Sequence, residues 1–296
     1  MRPYFLLLLS ALLACSGPAD PPANPPATRQ TVRDDLGRSV TLPTRPRRIM
    51  ALAASMTEML YAVADTATIV GRTQVCDFPA AARRKPVVSS YPLDFETLLA
   101  LRPDVVFTVE GITSPADAAR LQQLGIPVYY QTYRTVPDIF RGLRDLGRLL
   151  GRPRQAQQLT DSLQAELGQL TAAPVARPPR VLAITWLDPI YAYGHNTLFT
   201  DKIRLAGGQN ALQQTFPQPY PALTREYILQ LNPAVLIGGS FGKLDSTFFR
   251  MYPELKRIEA YRTRRVFAIT GDLMERPGPR VLESVRELQR LLASQP

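Results

Sequence analysis

The sequence predicts an α/β fold: two Rossmann-like lobes with parallel sheets, joined by one long interlobe helix. Three observations lead there. Short apolar runs of strand length alternate with longer helical ones, a helix-proline-strand unit recurs 130 positions along the chain, and an uninterrupted amphipathic stretch separates the two halves.

Strand candidates are 48–52, 105–109, 128–131, 180–186, 235–239 and 266–270, with helical pattern between them, the order of βα units. The recurring unit reads DFETLLALRPDVVF at 94–107 and TREYILQLNPAVLI at 224–237. Each copy has an N-cap residue, a glutamate two places on, apolar helix positions, a Leu-x-Pro stop and a buried strand. A similarity at that distance points to two homologous lobes and away from a solenoid, although any short helix-proline-strand unit shares part of the pattern. Between the copies, residues 151–172 place Leu159, Leu163, Leu167 and Leu170 on one face, with Pro153 suited to a first turn. A helix running to Ala172 is ~30 Å long at 1.5 Å per residue, enough to cross between lobes. The proline-rich stretch 173–179 ends it.

The chain opens MRPYFLLLLSALLAC. An apolar run this short, behind one arginine and ending in small residues, reads as a signal peptide over 1–14 and not as a membrane span. Residues 16–28 hold five prolines and almost no large apolar side chain, so they form a tether and not a core. The expected organisation is a tether over 15–30, an N-terminal lobe over 31–151, the interlobe helix over 152–175 and a C-terminal lobe over 176–296.

Apart from Cys15 the only cysteine is Cys76, so no intramolecular disulfide is expected after export. The net charge of +10 is spread in short clusters such as Arg45 to Arg48, Arg83 to Lys85 and Arg262 to Arg265. None interleaves with aromatics as a single-strand groove does, so nucleic acid is not an expected partner. Cys76 and His195 are the only soft Cys/His metal ligands, too few for a zinc site. One axial bond from either to a cobalt or haem iron remains open, against a buried thiol and a loop histidine.

SMTE at 55–58 matches a capping box, with Ser55 as N-cap and Glu58 at N3, directly after the first strand. Ligands of α/β sheets bind at such carboxyl ends, so backbone amides near Ser55 are candidates for the cleft, while Glu58 reads as a helix starter. Marks of common enzymes are missing: no phosphate loop, no Gly-x-Ser-x-Gly elbow, no His-Glu-x-x-His. A cell-envelope α/β hydrolase using a carboxylate pair is the alternative that the motifs leave open.

The order of parts resembles the helical-backbone (class III) substrate-binding proteins of ABC importers. The resemblance is carried by RPRRIMALAASMTEMLYAV at 45–63, VGRTQVCDFPAAA at 70–82, the repeated units, AGGQN at 206–210 and GDLMERPGPRVLESVRELQRLL at 271–292. Cys76 to Pro79 followed by Tyr91, the segment from Tyr220 to Glu226, and Asp272 to Arg276 are most similar to the cobalamin-binding members; haem and ferric-siderophore receptors share the scaffold.

The resemblance implies a substrate-binding protein and not an enzyme, with cobalamin or a related corrinoid as transported ligand and no catalytic cofactor. Its partners are then an ABC permease with a cytoplasmic ATPase, and the receptor is expected to be a monomer. LLAC at 12–15 resembles a lipobox, making Cys15 the lipidated anchor and the periplasm or cell envelope the location; an ordinary signal peptide is the rival reading. Tyr91 and Tyr220 match aromatic ligand positions, and Trp186, at the end of a lobe-two strand, is a candidate to close the site; core packing is the alternative for each. Asp272 and Arg276, expected in a loop before the last helix, are implied to meet the ligand's polar periphery, or else to form a local ion pair. Glu96 and Glu226 are implied to dock on permease arginines, beyond their stabilising effect at helix N-termini.

Overall fold

A computed structural model describes residues 28–171, 176–239 and 244–294. The expected signal peptide over 1–14 and the expected anchor Cys15 lie outside the described residues. The first described element is an antiparallel hairpin of β1 (Arg29–Arg33) and β2 (Ser39–Pro43), so the tether expected to reach residue 30 gives way to strand at Arg29.

Lobe one follows as β3 (Ile49–Ala51), α1 (Ala54–Val63), β4 (Ile69–Thr73), β5 (Val87–Val88), α2 (Phe95–Ala100), β6 (Val105–Val109), α3 (Pro115–Gln123), β7 (Val128–Gln131) and α4 (Val136–Leu149). Its sheet runs β5, β4, β3, β6, β7, all parallel. The order reverses beside β3, which opens a crevice at the carboxyl ends of β3 and β6.

Helix α5 (Pro153–Leu170) is the interlobe helix, five residues shorter at its end than the expected 175, and residues 172–175 are outside the described set. It forms a helical hairpin with α4 through Gly151, whose φ of +71° suits the turn. Gly147 of α4 lets the two backbones approach: a Cβ there would lie 2.2 Å from that of Ala156.

Lobe two contains β8 (Arg180–Trp186), β9 (Tyr191–Ala192), α6 (Leu198–Leu205), β10 (Gln209–Asn210), α7 (Arg225–Leu231), β11 (Val235–Gly238), α8 (Leu244–Met251), α9 (Glu259–Arg262), β12 (Val266–Ala268), α10 (Gly271–Glu275) and α11 (Val281–Ala293). The parallel order is β10, β8, β11, β12, with β9 antiparallel on β8. One apolar core runs through both lobes, joining Leu146 and Leu149 of α4, Ala156 and Leu163 of α5, Phe199 and Ile203 of α6, and Val285 and Leu288 of α11.

The repeated unit is a structural repeat. Asp94 caps α2 by accepting from the Thr97 amide at 3.0 Å, and Thr224 caps α7 by accepting from the Tyr227 amide at 3.2 Å. Both units end on a left-handed residue before proline, Arg102 (φ 44°) and Asn232 (φ 41°). Equivalent arginines seal both ends: Arg48 donates to the Leu101 and Arg102 carbonyls, Arg180 to those of Leu231 and Asn232.

Candidate ligand cleft

The connection from β3 to α1 is only Leu52 and Ala53, so α1 starts at Ala54 with Ala53 in the N-cap position. The expected capping box is therefore not formed. Ser55 sits inside the first turn, facing the cleft, and Glu58 is buried instead of closing a cap. Two arginines of lobe two meet it. Arg280 Nε donates to Glu58 Oε2 at 2.8 Å and its Nη2 to Oε1 at 2.6 Å, while Arg276 Nη1 lies 3.3 Å from Oε1.

Arg276 also pairs with Asp77 of lobe one at 2.9 Å and with Asp272 at 2.9 Å. The Arg276 hydrogen bond holds the Asp77 carboxyl below the usual carboxylate range. Arg280 covers the Phe78 ring at 4.2 Å, a second contact between lobes. Asp272 and Arg276 belong to α10 and its end, not to a loop, and they do form the local ion pair as well as facing the cleft.

The cleft between the lobes has a volume of about 660 Å3. Its walls come from the carboxyl ends of the strands: Leu52 to Ser55 after β3, Val109 to Ile112 around the end of β6, Thr185 in β8, and Gly271 to Pro277 after β12. An aromatic ladder forms one wall. Phe199 touches Tyr193 at 4.9 Å between centroids, and Tyr193 meets Tyr220 edge-on at 5.5 Å. The ladder climbs from the buried Phe199 to Tyr220, which is 47% exposed. Burial raises the Tyr220 hydroxyl pKa; Arg134 opposes the shift, and Glu275 and Glu110 add to it. Arg134 itself pairs with Glu110 at 2.6 Å on the facing wall.

The other expected aromatics stand beside the cleft and do not line it. Tyr91 is 92% exposed next to the lining residue Ser90, and Trp186, also exposed, follows Thr185 with its Nε1 donating to the Asp188 carbonyl at 2.9 Å. Neither soft ligand reaches the cleft. Cys76 is fully buried between the Thr57 and Thr73 hydroxyls, each 3.0 Å from Sγ, and His195 is exposed in adjoining grooves. Among the described residues no group of three His, Cys, Asp or Glu side chains is placed to hold a metal ion.

Glu96 and Glu226 are exposed at the second positions of α2 and α7. Each helix leads into a parallel strand, so its N-terminus lies at the carboxyl edge of its sheet, the edge that carries the cleft. Tyr193, Glu275, Arg280 and Asp77 were not singled out in the sequence. Their one legible signal is Arg280 four places after Arg276.

Two parallel α/β lobes, a shared helical spine and a cleft at the strand ends define a two-lobed binding protein. The periplasmic binding protein family model matches residues 49–273, and the chain belongs to that family. A vitamin B12-binding protein of Pectobacterium atrosepticum is 27% identical over 256 residues, covering 84% of this chain and 89% of the relative. The periplasmic vitamin B12 binding protein BtuF of Vibrio cholerae has the same fold, with a TM-score of 0.72 at 24% identity over 83% of this chain and 96% of that one. The periplasmic heme-binding protein BhuT, in complex with two hemes, is 26% identical with a TM-score of 0.74, over 83% and 97% of the two chains.

Proposed function

We propose that this chain is the substrate-binding lipoprotein of an ABC importer. In this reading it captures cobalamin or a related corrinoid in the interlobe cleft and delivers it to a membrane permease driven by a cytoplasmic ATPase. The aromatic ladder ending in Tyr220 carries the ligand assignment. A broad macrocycle is held best against an aromatic face, with polar groups around it for its edge. A corrin edge bears amides, and Ser55, Thr185, Asp272, Glu275 and Arg276 offer donors and acceptors around the same cleft. Tyr91 and Trp186, beside lining residues, are assigned to close over the ligand. The vitamin B12-binding relatives, aligned over most of the chain, support the assignment.

Glu96 and Glu226 are assigned to dock on the permease, one from each lobe. Cys15 is assigned as the lipidated anchor that holds the protein in the periplasm or cell envelope, and acyl labelling that persists in Cys15→Ser would remove it.

Haem or a ferric siderophore is the second reading, favoured by the Tyr220 hydroxyl in the cleft and by the haem-binding neighbours. A thermal-shift and visible-absorbance screen against cyanocobalamin, cobinamide, haem and ferric siderophores decides. Corrinoids should raise the melting temperature by mass action. A shift with haem or a siderophore alone would overturn the assignment.

A further inference from the structure

Helix α6 buries Leu198, Phe199, Ile203 and Leu205 against the common core, and among them it buries a lysine. Lys202 has no exposed surface. Its ammonium makes no ion pair within salt-bridge distance among the described residues, and instead faces the end of α10. Nζ lies 2.8 Å from the Leu273 carbonyl oxygen and 3.4 Å from those of Met274 and Arg276. An ammonium has three protons, and three carbonyls receive them. The turn so held is the one that lines the cleft with Asp272, Met274, Glu275 and Arg276, and Arg276 reaches on to Glu58 and Asp77.

We propose that Lys202 is the positioning residue of the cleft: its buried ammonium fixes the α10 turn, and through it the polar rim offered to the ligand and the arginine bridge to lobe one. No other hydrogen bond joins α6 to that turn among the described residues; the Ser284 hydroxyl of α11 also donates to the Leu273 carbonyl at 2.7 Å, and an apolar side chain at position 202 would fill the same core position without ordering the Met274 and Arg276 carbonyls. The charged groups facing the ammonium are Glu58 of α1, Glu275 of α10 and Arg280 at the head of α11. Burial pulls the Lys202 pKa down to about 7 against the two carboxylates, so the third donor is lost within the neutral range. Ligand affinity therefore falls as pH rises through neutrality.

The inference rests on the cleft being the corrinoid site, and the test has an arm that does not. Hydrogen exchange of the intact protein reads the Met274 and Arg276 amides, which close α10 on the Thr270 and Asp272 carbonyls. In Lys202→Met these amides should exchange about tenfold faster, from the loss of hydrogen bonds to a charged group, while the melting temperature is not lowered. Titration with cyanocobalamin should give wild-type affinity that weakens between about pH 6 and 8.5, and a Lys202→Met affinity about tenfold weaker at the acid end and flat with pH. If the wild type binds no cyanocobalamin, the functional reading falls and the exchange arm still decides the role of Lys202. Unchanged exchange at Met274 and Arg276 overturns the inference.

Discussion

Glu58 of α1 and Arg280 at the head of α11 form a two-pronged ion pair between the lobes, with 2% of the Glu58 side chain and 19% of the Arg280 side chain exposed. A pair buried this deeply adds little net stability over an apolar replacement, but removing one partner strands the other charge. Glu58→Gln is expected to lower unfolding free energy by about 3 kcal/mol, because Arg280 keeps only its longer 3.3 Å contact with Asp272, while Arg276 keeps Asp77 and Asp272. Denaturant unfolding of the two proteins measures it. A change under about 0.5 kcal/mol, the range of an ordinary surface substitution, would show that water screens the pair.

That pair also marks where the sequence stops being readable. Continuous apolar runs located β3, β6, β7, β8, β11 and β12 to within a residue or two; the first five are largely buried on both faces and leave no alternation to misread, while β12 is a half-buried edge strand read from its apolar composition alone. β4 was missed since Gly71 and Arg72 interrupt its apolar run, β5 and β10 since two residues carry no period, and β1 since its alternation is polar and exposed. SMTE matched a capping box in residue type, yet a two-residue connection from β3 shifted the helix start and turned Glu58 inward. Its partner lies 222 positions away, and no local pattern encodes that distance. By contrast, the glutamates at 96 and 226 were legible, because caps, stops and register repeat locally in both lobes.

Tyr220 should matter for ligand and not for fold. Its ring is half exposed and rests on Tyr193 alone among the aromatic contacts of the described residues. Tyr220→Ala is expected to weaken cyanocobalamin binding by about 2 kcal/mol, some thirtyfold, as for a truncated aromatic hot spot. Calorimetric titration checks this, with the melting temperature of the unliganded protein as control. An affinity within about twofold of wild type would move the ligand off the aromatic wall.

Glu96→Lys together with Glu226→Lys should leave cyanocobalamin affinity unchanged and abolish ligand-dependent stimulation of the permease ATPase in reconstituted vesicles. Both side chains are exposed, and the Glu226 carboxyl is held below its usual pKa by its own backbone amide and by Thr224, so it is charged at neutral pH. Reversing a rim charge acts on encounter and orientation. Full stimulation by the double variant would remove the docking assignment.

Lys202 makes a second, opposite pH dependence. Its folded-state pKa of about 7 lies below the ordinary lysine value, so between the two the unfolded chain binds more protons than the folded one. Stability should therefore rise with pH from about 7 towards about 10, by up to about 1.4 kcal/mol per pH unit from this group. Lys202→Met should lack that component of the slope. Urea midpoints across this range test it, and a parallel slope in the variant would place the titration elsewhere.

The spine offers the sharpest packing test. The α4 and α5 backbones touch at Gly147, where an added Cβ would stand 2.2 Å from the Ala156 Cβ and 3.0 Å from the Arg152 carbonyl oxygen. Neither neighbour is the end of a flexible side chain, so the helices must separate. Gly147→Ala gains helix propensity of about 1 kcal/mol, and overpacking costs about 1–3 kcal/mol. A 2.2 Å approach in the core shared by both lobes puts the cost in the upper part of that range, about 2–3 kcal/mol, so a net loss of about 1–2 kcal/mol is expected in denaturant unfolding. Gly147→Ala with Ala156→Gly removes the 2.2 Å clash, leaves the 3.0 Å approach to the Arg152 carbonyl oxygen, and should recover part of that loss. If the single variant is as stable as the wild type, α4 and α5 do not need the close approach, and the rigidity of the spine must come from Leu163 and its neighbours.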